Sequence, residues 1–283
     1  MAKRYTNYYF ICEKNETRAK KIADANSFDT INYIENKFRD GSNQCEFQDF
    51  DQSKIEETDC AILYYFFKKP FDSNVFNLLR LLNYLKYHFS HVVLLTPFMP
   101  FLREHRHEFR TDSSFIFEDI KIITLDAHVA WKNIISLPPS EFIAHIKPTD
   151  LIVLPDVGAR RYLGLCENDY VKAVKDRSSG ITFIEQDKIE GRNCVILDDI
   201  VDTGYTLMRT IEQLKKAGAK EIKACITHYL AEDLFDRACV EVCFFKWGLD
   251  FLYIYDTVIG DKKIDCAQVF DFTKAFSNLK EIL

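Results

Sequence analysis

In the stretch Cys194-Val195-Ile196-Leu197-Asp198-Asp199-Ile200-Val201-Asp202-Thr203-Gly204-Tyr205-Thr206-Leu207, nine consecutive residues carry three carboxylates, two threonines and a glycine. Asp198 and Asp199 could accept hydrogen bonds from sugar hydroxyls or stand around a Mg²⁺ ion. Thr203 and Thr206 add hydroxyl donors, and Gly204 lets the backbone come close to a ligand. The chemistry these types suit is the binding of a sugar phosphate. The competing reading is a helix capped by Thr203, with the acids solvated in its first turn.

The flanking residues predict what must position this group. Val195-Ile196-Leu197 is apolar and β-branched, as a strand buried on both faces of a parallel sheet requires. From Thr206 onward, Leu207, Ile211 and Leu214 recur at helical spacing, and Lys215, Lys216 and Gly218 close the helix. The junction is then a helix N-terminus, whose backbone N–H groups and dipole favour an anion.

The chain of 283 residues has length for one large domain or two moderate ones. A hydrophobic content of 47% and a charged content of 28% describe a soluble globular protein. The net charge of −6 and the lack of a basic stripe interleaved with aromatics argue against a nucleic-acid partner. The first residues, Met-Ala-Lys-Arg-Tyr, contain no apolar signal core, and no apolar run reaches the length of a membrane span. A cytoplasmic location and no membrane partner are expected. Nine cysteines without a Cys-x-x-Cys pair read as reduced core thiols.

Strand-like runs at 5–12, 47–50, 60–67, 91–96, 121–125, 151–154, 180–185, 194–197 and 222–227 alternate with helical stretches such as 16–25 and 74–89. This predicts an α/β fold with mainly parallel sheets flanked by helices, with ligands beyond the strands' carboxyl ends. Prolines 138, 139 and 148 punctuate the middle, so the expected domains are 1–141 and 142–283.

Further polar clusters lie along the chain. Phe38-Arg39-Asp40-Gly41 is an Asp-Gly turn that could also stack on a purine and accept from its amine. Pro97 to Arg106 places two arginines, Arg103 and Arg106, three apart after a strand, either as a grip on a triphosphate or as part of a solvated charge cluster. Leu125-Asp126-Ala127-His128 ends a strand in an acid and an imidazole, candidates for a metal or phosphate. Pro155-Asp156-Val157-Gly158 places another acid after a strand, and Lys175-Asp176-Arg177-Ser178-Ser179-Gly180 reads as a mobile loop with two cations.

In this order the clusters resemble the ribose-phosphate diphosphokinases, the PRPP synthetases, along nearly the whole chain. Phe38 to Gly41 resembles the family's adenine-binding flag, and Pro97 to Arg106 its ATP segment. Leu125 to His128 resembles its metal motif, Pro155 to Gly158 its Pro-Asp-x-Gly turn, Lys175 with Arg177 its catalytic flexible loop, and 194–207 its PRPP motif. Tyr255-Asp256-Thr257 is similar to a late Thr-Asp-Thr element. Type I phosphoribosyltransferases share only the second half of this pattern.

The resemblance implies two phosphoribosyltransferase-like domains and Mg²⁺-dependent transfer of diphosphate from ATP to the anomeric hydroxyl of a ribose 5-phosphate group, releasing AMP. It implies ATP on Phe38, Asp40, Arg103, Glu104 and Arg106, and Mg²⁺ at His128 and Asp156. It further implies catalysis by Lys175, Arg177 and His128, and acceptor binding by Asp156, Asp198, Asp199, Asp202, Thr203, Gly204, Tyr205 and Thr206. A homo-oligomer, with the flag serving a neighbouring subunit, is also implied.

The chain departs from the pattern at Ser42, at Glu104-His105 and in shortened connections after Arg106, His128 and Arg177. Tyr205 stands where family synthetases usually carry a small residue, and its ring has room to pack against a group beyond the 5-phosphate. Phage-encoded relatives that diphosphorylate ADP-ribose in rebuilding NAD need such room, so ribose 5-phosphate and ADP-ribose are both candidate acceptors. A phosphoribosyltransferase consuming PRPP and a non-catalytic regulatory homologue are the alternatives.

Overall fold

The computed structural model describes residues 5–39, 43–48, 50–69, 71–102, 116–129, 131–156, 158–165, 167–176, 180–183, 185–231, 244–259 and 267–283. The chain divides into two units, one of residues 1–137 with 273–283 and one of 138–272. The boundary thus falls a few residues before the expected 142, and the last eleven residues belong to the first unit rather than the second.

In the first unit, β1 (Tyr8–Glu13), β2 (Asp29–Lys37), β3 (Asn43–Gln48), β4 (Cys60–Tyr64), β5 (His91–Thr96), β6 (Lys121–Leu125) and β7 (Ile134–Leu137) form one sheet in the order β3-β2-β1-β4-β5-β6-β7. Every pairing is parallel except that of β3 with β2. Helices α1 (Thr17–Asn26) and α2 (Asp72–His88) follow β1 and β4. Leu78, Leu82 and Leu85 of α2 pack with Ile11, Leu63, Leu94 and Ile122 of the strands in one core.

The second unit repeats this plan. Strands β8 (Leu151–Leu154), β9 (Tyr170–Asp176), β10 (Gly180–Phe183), β11 (Asn193–Val201), β12 (Glu221–Tyr229), β13 (Phe251–Tyr255) and β14 (Ala267–Phe270) lie in the order β10-β9-β8-β11-β12-β13-β14. Again only the edge pairing, β10 with β9, is antiparallel. The short helix α3 (Ser140–Ile143) precedes β8, and α4 (Tyr205–Lys216) follows β11. Leu207, Ile211 and Leu214, the residues at helical spacing, are buried against Ile196, Ile222, Ala224 and Ile226. Adding seven to each strand number converts one sheet into the other, in keeping with the two similar domains that the family resemblance implied.

Lys175 lies in β9, register-paired with Ile181 of β10, so the segment read as a mobile loop begins instead as a strand. Strand β2, whose Ile31 and Tyr33 are buried at period two, was not anticipated, and β3 starts four residues before the predicted run at 47–50. Cys12, Cys60, Cys194 and Cys225 are free and buried. Burial pushes the thiols of Cys12 and Cys60 up to about 12, which keeps them protonated and unreactive.

One buried side chain makes three of the hydrogen bonds at the seam where the C-terminal residues return to the first unit. Buried Asn26, at the end of α1, donates through Nδ2 to the Ile22 carbonyl at 2.9 Å and the Phe276 carbonyl at 2.7 Å. Its Oδ1 accepts from the Leu279 N–H at 2.7 Å. Leu279 opens α5 (Leu279–Ile282) and, like Phe276, is fully buried. Substituting Asn26→Ala strands buried backbone groups at this seam and should lower unfolding stability by about 2–4 kcal/mol. A urea titration of the variant would show this as an earlier midpoint with the tail released first to proteolysis; an unchanged midpoint would refute the clamp.

Candidate active site

In a sheet of this order the strand connections reverse direction between β8 and β11, and a crevice opens beyond their carboxyl ends. Both acidic clusters of the second unit fall there. β8 runs into Pro155 and Asp156, while β11 carries Asp198 and Asp199 near its end. The strand continues to Val201, further than its apolar run suggested, so both acids are strand residues with side chains on opposite faces of the pleat. Asp198 shares the face of Cys194 and Ile196, which pack under α4, and Asp199 takes the other. The Asp199 N–H donates to Asp198 Oδ1 at 3.1 Å, tying the two together.

Asp199 is only 4% exposed, and its Oδ1 lies 3.1 Å from Arg161 Nη2. Arg161 belongs to a 3-10 turn, Gly158–Gly164, directly after β8. Asp156 Oδ1 accepts the Ala159 N–H at 3.1 Å, which caps that turn. A Cβ on Gly158 would stand 3.2 Å from Asp156 Oδ1 and 3.7 Å from Arg161 Nη1, so glycine leaves room where the two side chains meet. Arg161 was missed in the sequence: one arginine in Ala-Arg-Arg-Tyr has no spacing signal, and only the fold carries it to β11.

After β11 the chain turns through Asp202 and exposed Thr203 to Gly204. Gly204 is the N-cap of α4 with φ 72° and ψ −4°, a left-handed conformation that costs other L-residues roughly 1 kcal/mol or more. A glycine cap has no side chain to close the first turn, and none is bonded there. Thr203 Oγ1 accepts the Tyr205 N–H only at 3.4 Å. The reading of a helix merely capped by Thr203 therefore fails, and the opening turn of a twelve-residue helix points its donors at the crevice. Thr206 holds the helix from within, its carbonyl accepting from Thr210 Oγ1 at 2.8 Å.

Tyr205 is 53% exposed at the mouth of this cradle. Arg209 Nε donates to its hydroxyl at 3.2 Å, with the guanidinium carbon 5.3 Å from the ring centroid. Glu212 holds Arg209 at 2.8 Å, and Lys216 holds Glu212 at 2.9 Å. The bond to Tyr205 and then that to Glu212 raise the pKa of Arg209, and Lys216 followed by Arg209 lowers that of Glu212. At the next strand ends, Thr257 donates to the Thr227 carbonyl at 3.0 Å, which makes Nδ1 of buried His228 the donor in their 2.9 Å contact. The Tyr255-Asp256-Thr257 element thus pins β12 to the segment after β13.

In the first unit, His128 is half-buried two residues after buried Asp126, which sits at φ 44°. A non-glycine residue in that region is uncommon and concentrates at functional sites. Phe38 is 51% exposed at the end of β2. Asp40, Arg103, Glu104, Arg106 and Arg177 lie outside the described residues, as does the side chain of Lys175. Among the described residues no three metal-type side chains converge. Mg²⁺ does not demand such a cage, since it binds through one or two carboxylates plus substrate phosphates and keeps several waters, a pattern that a single carboxylate such as Asp156 fits.

A crevice at the switch point, an anion-binding helix start and paired acids define a phosphoribosyltransferase-like site. Residues 166–252 match the phosphoribosyl transferase domain family. Over 82% of this chain and 80% of the other, the sequence is 26% identical to a ribose-phosphate pyrophosphokinase of Burkholderia pseudomallei (strain K96243). A 40-residue stretch, 14% of this chain and 13% of the other, is 55% identical to the ribose-phosphate pyrophosphokinase of Vibrio cholerae (serotype O1, El Tor Inaba N16961). The fold matches the phosphoribosylpyrophosphate synthetase of Mycobacterium smegmatis with a TM-score of 0.78 over 98% of each chain, at 17% identity. The chain is a divergent homologue of the ribose-phosphate pyrophosphokinases.

Substituting Gly204→Ala should cost about 1 kcal/mol of stability through the left-handed cap. It should weaken ribose 5-phosphate binding at least severalfold, because the added methyl forces the turn to shift. Calorimetric titration with ribose 5-phosphate checks this, and unaltered affinity would remove Gly204 from the cradle.

Proposed function

We propose that this protein transfers the β,γ-diphosphate of ATP to the anomeric hydroxyl of a ribose 5-phosphate group. The anomeric oxygen attacks the β-phosphorus, the bond to the oxygen bridging the α- and β-phosphates breaks, AMP leaves with that oxygen, and the hydroxyl proton passes to solvent. The observation that carries the reading is the glycine-opened α4 N-terminus facing the crevice between β8 and β11, with Asp198 and Asp199 beside it. The opening turn of α4, with Thr203 and Thr206, holds the 5-phosphate, and the acids hold the sugar.

Such in-line transfer needs alignment and charge neutralisation more than covalent help. Phe38 and Asp40 take the adenine, for ATP bound by a second copy of the chain in a homo-oligomer, and Arg103 and Arg106 take the triphosphate, with Glu104 between them in the ATP-binding segment. His128 and Asp156 are the positions for Mg²⁺, which when bound neutralises charge on the transferred oxygens. Lys175 and Arg177 stabilise the charge that grows on the migrating and leaving groups. A cytoplasmic setting suits an ATP-consuming protein with reduced thiols.

For the acceptor, Tyr205 favours a molecule larger than ribose 5-phosphate. Its half-exposed ring, fixed by Arg209 at the mouth of the cradle, gives a flat apolar face to what extends beyond the 5-phosphate. ADP-ribose, giving ADP-ribose diphosphate for NAD synthesis, is such an acceptor.

The test is purified protein with Mg-ATP and, in parallel, ribose 5-phosphate or ADP-ribose, with AMP and the diphosphorylated product followed by chromatography and mass. AMP with either acceptor supports the transfer, and the preferred acceptor decides the finer reading. Silence with both would sink it in favour of a phosphoribosyltransferase or a regulatory homologue. In the active protein, Lys175→Ala should lower kcat by ~10²-fold or more with ATP binding retained. Near-normal turnover would take Lys175 out of the mechanism.

A further inference from the structure

We propose that Arg209 is a positioning residue for Tyr205, and that the ring it holds is a stacking platform for a nucleobase carried by the acceptor beyond its 5-phosphate. This deepens the reading of residues 198–206 as the ribose-phosphate site and rests on it.

Tyr205 is the first residue of α4, directly after the Gly204 cap, so its ring stands beside the place proposed for the 5-phosphate. The Arg209 guanidinium lies over that ring, with Cζ 5.3 Å from the centroid, and Nε donates to the Tyr205 hydroxyl at 3.2 Å. One face and the hydroxyl are thereby taken. Tyr205 is nevertheless 53% exposed, which leaves the other face to a ligand. Arg209 is held in turn: its Nη1 donates to Glu212 Oε2 at 2.8 Å, and Lys216 Nζ donates to Glu212 Oε1 at 2.9 Å. Each partner lies three or four residues from the last, so the four side chains form one stripe along the helix.

An exposed tyrosine loses rotamer freedom when a ligand immobilises it, whereas here the restriction precedes the ligand. A preorganised aromatic face suits a flat heteroaromatic ring, which stacks on it whatever its hydrogen-bonding edge. The plainer role of the stripe is to stabilise α4 through ordinary side-chain pairs. Helix stability alone favours an acid in the first turn, yet α4 has none there and places a half-exposed aromatic at its first position. The two roles separate in a ratio of affinities, because a stabilised helix serves every acceptor alike.

Binding of ribose 5-phosphate, ribose 5-diphosphate and ADP-ribose to the full chain would be measured by calorimetry without ATP, independent of turnover. The intact protein should bind ADP-ribose about tenfold or more tighter than either smaller compound, the size of one base stacked on an aromatic ring. Arg209→Ala should narrow that preference to about threefold, and Arg209→Lys should fall between, because an ammonium lacks the fork that joins Tyr205 to Glu212. In a Tyr205→Leu background, Arg209→Ala should change the ratio no further. An equal effect of Arg209→Ala on all three ligands overturns the proposal alone and leaves the larger acceptor standing. A gain shared by ribose 5-diphosphate overturns it too, since a second phosphate rather than a base then carries the preference. No preference in the intact protein overturns the larger acceptor as well, and failure to bind any of the three overturns the ribose-phosphate reading.

Discussion

The second unit depends on one constraint: within the three residues between the end of β11 and the start of α4, the chain must pass from a buried parallel strand to a helix whose first turn is open. Only a left-handed residue makes so short a turn, and Gly204 supplies it at φ 72°. Leu207, Ile211 and Leu214 then lock the helix onto the sheet, so the direction of its opening donors is set by the hydrophobic core. The polar site is rigid because it is the exposed end of an apolar assembly. Neither the carboxylates nor the threonines could fix that direction themselves.

The duplication of the strand order shows how one scaffold carries different sites. Tyr8, the first residue of β1, pairs with Cys60 of β4, and Leu151, the first of β8, pairs with Cys194 of β11. Four residues further along, Tyr64 occupies in β4 the place that Asp198 holds in β11. The first unit continues with Tyr65, Phe66 and Phe67 where the second has Asp199 and the turn to Gly204. The topology is the same in both units, but an aromatic run carries no carboxylate to accept a sugar's hydroxyl protons or to stand beside a metal ion. The proposed sugar-phosphate site therefore falls to the second sheet, and the first unit's candidate groups, Phe38 and His128, stand at other strand ends.

Much of this was legible because it is local. The helix start at Gly204, the buried face of α4 and the alternation of strands and helices are patterns within a dozen residues. What the sequence hid is what only the sheet order brings together. Arg161 reaches Asp199 across 38 positions, and His228 meets Thr257 across a strand crossover. Asn26 holds a tail some 250 residues away, which is why the end of the chain was assigned to the second domain. Lys175 escapes the sequence pattern for another reason: cations and small residues read as a solvated loop, yet pairing with β10 carries β9 on through Asp176.

The charges near the end of β11 make opposite demands on a ligand. Asp156 follows β8, Asp198 and Asp199 lie near the end of β11 and Asp202 follows it, and an anion meets such carboxylates as repulsion unless their charge is answered. Arg161 lies 3.1 Å from Asp199, and the α4 N-terminus presents the positive end of its dipole. A neutral hydroxyl has no such requirement and gains from every acceptor. On the proposed reading, a sugar phosphate would therefore suit this end of the sheet with its phosphate at the helix start and its hydroxyls at the acids, because the reverse placement would set anion against anion.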